Sequence, residues 1–457
     1  MAEPGTEGPS LKKRVWGWYF FDWASQPYST LLLTFIFSPY FAAVVGDPTR
    51  AQELWGIGLA IAGIIIAVLA PVLGAVADTA GRRMPWIAFF SVLYVAGAAA
   101  LWFAVPGAGQ VGPILIAFGI GLIGMEFATI FTNALLPSLG PKEETGRFSG
   151  SGFAFGYWGG VLSLAIMLLF FVEQDSGRTL IGLAPAFGLD PEMREGTRFV
   201  GPLTALWYVV FMVPFFLWVR EPRTIAAAQA RTSLRAALSD LMRSLRSLLH
   251  RPSLAAYLGS SMFYRDALNG LYGFGGIYAV GVLGWSVMQI GIFGVAGAVA
   301  AAVCSWLGGR ADRRWGPKPV IVACALVLIA VCSLIVGMSR DSLFGLPLAP
   351  ESRLPDVLFY LCGAVIGGTG GALQAASRTM MVHHTDPMRP TEAFGLYALS
   401  GKATAFLAPA LIALATAATQ SQQWGVSPLI GLFVLGLVLL VWVEPDGEMS
   451  KWSAVSR

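Results

Sequence analysis

The chain contains twelve apolar stretches, most of them near the roughly 20 residues that a helix needs to cross the hydrocarbon of a bilayer, and no other feature limits the fold as much. They occupy residues 15–45, 54–77, 85–105, 113–138, 149–172, 203–220, 254–282, 288–308, 319–338, 355–381, 394–417 and 426–443. Lipid offers no partners to backbone N–H and C=O groups, so each stretch must close its own hydrogen bonds, as a helix does. Charged residues make up 12% of the chain, against about 25% in soluble domains, and a water-soluble enzyme is excluded. The 54 glycines, 15 tryptophans and 29 phenylalanines suit packed membrane helices, which use small residues at contacts and aromatics at the interfaces. The first stretch follows Lys12, Lys13 and Arg14 as a secretory signal would, but it is longer than the apolar core of a cleavable signal and is expected to stay as the first span.

Charge sets the expected orientation. With both termini cytoplasmic, 21 Lys and Arg fall on inner segments and 6 on outer loops, while Arg265, Arg378 and Lys402 lie within spans; cationic residues favour the inner side. The expected location is a bacterial-type cytoplasmic (inner) membrane. A net charge of +4 is too balanced to suggest a nucleic-acid partner. Cys304, Cys324, Cys332 and Cys362 lie in apolar stretches without zinc or redox spacing and read as packing residues. His250, His383 and His384 are too few for a metal cluster, and no cofactor is expected. The domain plan is an N-terminal tail (1–14), a six-helix bundle (15–220), a linker (221–253), a second six-helix bundle (254–443) and a C-terminal tail (444–457). The linker spaces Leu234, Leu238, Leu241, Leu245 and Leu248 along one helical face, with Arg235, Arg243 and Arg246 elsewhere, as an amphipathic helix on the inner membrane surface does.

The two halves repeat one another. Asp22 and Tyr28 in span one recur as Asp266 and Tyr272 in span seven, both at an offset of 244. After span two stand Gly74, Asp78, Gly81, Arg82 and Arg83; after span eight stand Gly308, Asp312, Arg313, Gly316 and Lys318. The loop with Glu144, Arg147 and Phe148 loosely matches the one with Glu392 and Phe394. Repeated units are a common way to build transporters.

The Gly-x-x-x-Asp-x-x-Gly-Arg-Arg arrangement from Gly74 to Arg83 resembles the signature loop of the major facilitator superfamily. Thr79 stands where a basic residue usually follows the aspartate, and the second copy is stretched to Gly316. Three further segments are similar to the vacuolar amino-acid effluxer branch, the autophagy-associated family with many bacterial relatives: Tyr19-Phe20-Phe21-Asp22-Trp23-Ala24-Ser25, Phe131-Thr132-Asn133-Ala134-Leu135-Leu136-Pro137, and the run from Gly150 to Gly160 ending Gly-Tyr-Trp-Gly-Gly. Tyr264, Asp266 and Gly276-Ile277-Tyr278-Ala279 agree with it. The resemblance implies an all-α membrane carrier of twelve transmembrane helices in two pseudo-symmetric six-helix bundles, with a central cavity and, by analogy with fungal relatives, amino-acid efflux. Gly74, Asp78, Arg82, Arg83, Asp312 and Arg313 become the expected gating residues: Gly74 lets a neighbouring helix approach, Asp78 accepts from a basic partner, and Arg82 and Arg83 anchor the turn at the anionic inner surface.

An ionised side chain at mid-bilayer costs about 2.5 to 3.5 kcal/mol on insertion scales, so Asp22, Glu126, Arg265, Asp266 and Lys402 each call for a paired, solvated or functional explanation. Glu126, Thr129 and Asn133 recur at i, i+3 and i+7, and Arg265, Asn269 and Tyr272 at i, i+4 and i+7, each set forming one helical face; span ten adds Gln374, Ser377 and Arg378. The expected substrate- and proton-binding set is Asp22, Gln26, Glu126, Asn133, Arg265, Asp266, Asn269, Tyr272, Gln374 and Lys402. Desolvation favours a neutral acid and a nearby cation favours the anion, so a carboxylate that changes surroundings can carry a coupling proton. The expected function is proton-coupled secondary transport of a small polar solute by a monomer, with an amino acid or related zwitterion as first candidate; sugars, peptides and organic acids use similar residues, and a receptor or assembly scaffold on a carrier fold is the reading from another class. Gly363, Gly367, Gly368, Gly370 and Gly371, like Gly150, Gly152, Gly156, Gly159 and Gly160, read as close helix contacts rather than a phosphate cradle. The outer loop from Glu173 to Pro202 is either a lid or, by preference, a solvated connection.

Overall fold

A computed structural model of the chain describes residues 9–107, 109–174, 176–221, 239, 242, 246, 248, 250–349 and 352–447. Most of the expected linker helix lies outside the described residues. Ten helices are long and apolar enough to cross a membrane: α2 (Pro48–Ala80), α3 (Met84–Phe103), α4 (Val111–Ser138), α5 (Lys142–Phe170), α6 (Glu195–Trp218), α8 (Gln289–Trp315), α9 (Pro317–Val336), α10 (Leu354–His384), α11 (Pro390–Thr419) and α12 (Gln422–Leu440). A pair bent by 47°, Leu11–Phe35 and Phe37–Val45, forms α1. The 30-residue helix α7 (Pro252–Gly281) completes twelve among the described residues. Its length of about 45 Å is ample, but Ser260, Ser261, Arg265, Asp266 and Asn269 dilute its apolar character. A short hairpin, β1 (Ser342–Leu343) and β2 (Leu346–Pro347), joins α9 to α10.

Helix ends follow local chemistry. Asp47 caps α2, its Oδ1 accepting from the Thr49 amide at 2.8 Å and the Arg50 amide at 3.2 Å, which satisfies two of the orphan N–H groups of a first turn. Ser286 and Gln289 form a reciprocal capping box before α8. The glycines of the two repeated loops do the same job: Gly81 ends α2 at φ +63° and Gly316 ends α8 at φ +83°, a region that side chains with a Cβ rarely enter.

The chain divides into two compact units. One comprises the described residues of Met1–Ala70, Val76–Gly140 and Phe155–Thr232; the other comprises Pro71–Ala75, Pro141–Ala154 and the described residues of Ser233–Arg457. In the first unit α1 packs on α6, and α3 on both α4 and α6; in the second α7 packs on α12, and α9 on both α10 and α12. The second set is the first advanced by six helices, so the duplication visible in the motifs extends to helix packing. The second unit adds an extensive α8–α10 contact, at which Gly367 and Gly371 lie against Gly297 and Ala301. The expected glycine contacts are therefore present in α10. Cys324, Cys332 and Cys362 are buried and unpaired, as packing residues are.

In the first unit Gly124 is a tight contact: a Cβ there would lie 2.7 Å from the Phe90 carbonyl oxygen, whereas Gly119, on the same helix, has open space. Overpacking a filled contact costs about 1–3 kcal/mol or more, while leucine in place of an unobstructed helical glycine gains up to about 1 kcal/mol. Gly124→Leu is expected to lower the thermal unfolding midpoint in detergent or to prevent a monodisperse product, and Gly119→Leu to leave both unchanged or improved. Equal behaviour of the two variants would contradict this packing.

Candidate functional site

The first-unit residues expected to meet substrate lie on two helices. Along α4, Ile123, Glu126, Thr129 and Asn133 are half-buried while Leu122, Gly124, Met125, Phe127, Ala128, Ile130, Phe131 and Thr132 are buried. The expected polar stripe is thus the accessible face of an otherwise packed segment. Asp22 and Gln26 are half-buried on α1 against glycines of α5: a Cβ on Gly156 would lie 3.2 Å from Asp22 Cβ, and one on Gly160 would lie 2.9 Å from Gln26 Cγ. Pro27 follows at once. It has no N–H for the carbonyl four residues back, and that oxygen, of Trp23, accepts from Trp207 Nε1 on α6 at 3.1 Å. A π-helical stretch, Tyr28–Phe35, then begins.

In the second unit Arg265 lies flat on Tyr397 of α11, its Cζ 4.2 Å from the ring centre, and its Nη1 donates to the Tyr397 carbonyl at 3.0 Å. A Cβ on Gly401 would meet the guanidinium at 2.7 Å, so Arg265 reaches the residue beside Lys402, which is half-buried. Asn269 and Tyr272 are exposed on the same face of α7. Tyr272 abuts Gly370 of α10, whose carbonyl accepts from Gln374 Nε2 at 3.4 Å. Arg265 therefore adjoins the Lys402 segment, and Tyr272 adjoins the turn bearing Gln374.

Asp266 is withdrawn from that face. It is 1% exposed, and its Oδ2 accepts from the Ala408 amide at 2.8 Å. The reason is a break in α11: its first segment ends at Ala403 and its second starts at Leu407, because Pro409 lacks an N–H and crowds the carbonyl of Ala405. Asp266 fills the acceptor position at the new N-terminus, where a carboxylate is also favoured by the helix dipole. Asp266, expected in the substrate- and proton-binding set, is thus engaged at the break in α11.

The repeated loops use their charges differently. Arg83 Nη2 donates to Asp78 Oδ1 at 2.9 Å and Arg83 Nη1 pairs with Glu221 at 3.2 Å; Glu221 also accepts from the amides of Arg83 and Met84, which open α3. Arg83 is therefore half-buried between two carboxylates, and Arg82 is exposed. In the second unit Gly74 lies against the first turn of α11, where a Cβ would meet the Thr391 carbonyl oxygen at 2.6 Å. Asp312, 4% exposed, lies over Gly146 at the start of α5, and Arg313 pairs with Glu144 at 2.6 Å. Arg378 is buried: Nε donates to Ser149 Oγ at 2.9 Å and the guanidinium lies 4.2 Å from the Phe153 ring centre.

Tyr397, Glu221 and Ser149 escaped the sequence reading. Glu221 carries no periodic signal, whereas Pro409 inside an apolar span was the available sign that a buried acceptor would be needed nearby. Among the described residues, no three His, Cys, Asp or Glu side chains gather to hold a metal ion.

A family model for proteins like the vacuole effluxer Atg22 matches residues 56–451. An uncharacterized MFS-type transporter of Bacillus subtilis, YxiO, is 26% identical over 441 residues, covering 94% of each chain. Autophagy-related protein 22 of Cryptococcus neoformans is 23% identical over 333 residues, covering 68% of this chain and 53% of the fungal protein; the chain thus spans about half the length of that relative. Among solved structures, the proton:xylose symporter XylE superposes with a TM-score of 0.70 at 12% identity, over 97% of this chain and 99% of that one. The human organic anion transporter MFSD10 gives 0.67 at 17%, over 94% and 100%. These similarities show the major facilitator fold.

Removing the acceptor from Ala408 leaves a buried amide unpaired, a cost of about 1–3 kcal/mol. Asp266→Ala should therefore unfold at lower temperature than the parent, and Asp266→Asn, which keeps an acceptor oxygen, should recover most of the loss. Thermal unfolding in detergent decides this, and an unaffected alanine variant would remove Asp266 from its capping role.

Proposed function

The chain belongs to the vacuole effluxer Atg22-like family and is a multi-pass major facilitator transporter, not an enzyme, and from that premise we propose that it carries a small zwitterion, first an amino acid, by proton-coupled alternating access. The observation that carries this reading is the mixed polarity of two accessible helical faces within spans: Glu126, Thr129 and Asn133 on α4, and Arg265, Asn269 and Tyr272 on α7. A zwitterion needs a cationic donor for its carboxylate and an anionic acceptor for its ammonium. Arg265 is suited to the first task, because its planar fork matches a carboxylate and stacking on Tyr397 already orders it. Glu126 is suited to the second, and exchange of a proton at that carboxylate would couple substrate release to a gradient.

Asp22, Gln26, Gln374 and Lys402 supply further polar contacts in this proposal, while Asp266 positions the broken α11. The loops with Gly74, Asp78, Arg82, Arg83, Asp312 and Arg313 govern opening and closing, the bundles 15–220 and 254–443 act as the two moving parts, and the protein works as a monomer. The excess of Lys and Arg on alternate loops supports cytoplasmic termini and a cytoplasmic-membrane location.

A thermal-shift screen of purified protein against amino acids, peptides, sugars and organic acids should single out amino acids, since a ligand that prefers the native state raises its stability. Arg265→Lys should weaken the response; losing a charged hydrogen bond costs about 1.5–3 kcal/mol, roughly tenfold to a hundredfold in affinity. In proteoliposomes Glu126→Gln should retain counterflow and lose uphill, pH-driven accumulation. Uphill transport that stays intact and pH-dependent in that variant would end the assignment of the coupling proton to Glu126, and stabilisation by sugars alone would end the zwitterion reading.

A further inference from the structure

The connection between α5 and α6 distributes its polarity in the reverse of a water-facing loop. Its charges are partly spent on the protein: Glu173, 3% exposed, accepts from the Thr197 hydroxyl at 2.6 Å and pairs with Arg194 at 3.0 Å. Arg198, 5% exposed, donates to the Trp102 carbonyl at 2.8 Å and lies over the Trp102 ring. Between Arg178 and Asp190 the eleven residues 179–189 carry no charged side chain. Within them Leu180, Ile181, Leu183 and Phe187 are exposed, Phe187 at 83%.

The backbone sets where this segment sits. A turn closes with the Thr179 amide donating to the Leu183 carbonyl, and the Leu180 amide donates to the carbonyl of Leu168, inside the last turn of α5. The chain has thus doubled back alongside the end of a membrane-spanning helix. Phe187 holds φ +61°, an uncommon conformation for a residue with a Cβ, and its ring contacts Phe171 and Phe199 at centroid distances of 5.6 and 6.1 Å. Phe171 directly follows Phe170, the exposed last residue of α5, and Phe199 lies in the first turns of α6, so the exposed side chains lie beside the adjoining ends of two membrane-spanning helices.

We infer that residues 179–189 form an interfacial wedge, with Leu180, Ile181, Leu183 and Phe187 in contact with phospholipid acyl chains at the boundary between hydrocarbon and headgroups. The occupant is lipid because the patch lies against the ends of two spanning helices and an exposed apolar cluster in water is unfavourable. The depth is interfacial because the amides of Ile181 and Leu183 have no backbone acceptor among the described residues, which the hydrocarbon core does not tolerate and the hydrated boundary does. The inference stands apart from the substrate and coupling proposals.

Nitroxide labels at Ile181→Cys, Phe187→Cys and Asp190→Cys, in a chain whose four native cysteines are replaced by alanine, test it in phosphatidylcholine vesicles. Labels at 181 and 187 should collide with oxygen and be shielded from an aqueous nickel chelate, and the label at 190 should do the reverse. Nickel accessibility at 181 and 187 equal to that at 190 overturns the inference in favour of a solvated connection, and shielding from both agents overturns it in favour of a lid packed on protein. Should the cysteine-free chain fail to fold, benzoylphenylalanine replacing Phe187 in the otherwise unaltered protein gives the same decision: photo-crosslinking to radiolabelled phosphatidylcholine supports the wedge, and its absence overturns it.

Discussion

In lipid the backbone has no solvent to fall back on, and every proline that interrupts a spanning helix leaves a polar group that must find a partner inside the protein. This chain shows the requirement met in both halves of its repeat. Pro27 frees the carbonyl of Trp23, and an indole N–H from α6 takes it. Pro409 breaks α11, and the carboxylate of Asp266 takes the amide of Ala408. The interruptions are tolerated because neighbouring helices were already close enough to supply the missing group, so packing and irregularity depend on each other.

That dependence separates the charged residues within spans into two kinds. Arg265 and Glu126 are half-buried, while Asp266, one position along from Arg265 and about 100° around the helix, is almost fully buried and caps the second segment of α11. Arg378 is likewise buried, against Ser149 and Phe153. The cost of burying a charge is offset by hydrogen-bonding partners at Asp266 and Arg378, and Arg265 and Glu126 keep partial exposure.

The sequence made the periodic features legible. Apolar run length and spacing located the spans, and the i, i+3, i+7 spacing of Glu126, Thr129 and Asn133 identified the face that the structure leaves accessible. The repeat of Asp78 and Asp312 pointed to a duplication that the helix contacts extend. Partners supplied across space were not legible: Tyr397 beneath Arg265, Glu221 beside Arg83 and Ser149 beside Arg378 lie 132, 138 and 229 residues away, and no local pattern encodes such pairings. Asp266 stood out for the expense of a buried charge, but its partner, the Ala408 amide, lies 142 residues away.

The break in α11 has a bearing on inheritance. An alanine at 409 would restore a continuous helix, satisfy the Ala408 amide's surroundings differently and strand a carboxylate in a dry interior; an alanine at 266 would strand the amide. Neither alanine is harmless by itself, so the two sites are coupled: residue 266 has to keep an acceptor for as long as Pro409 keeps the helix broken.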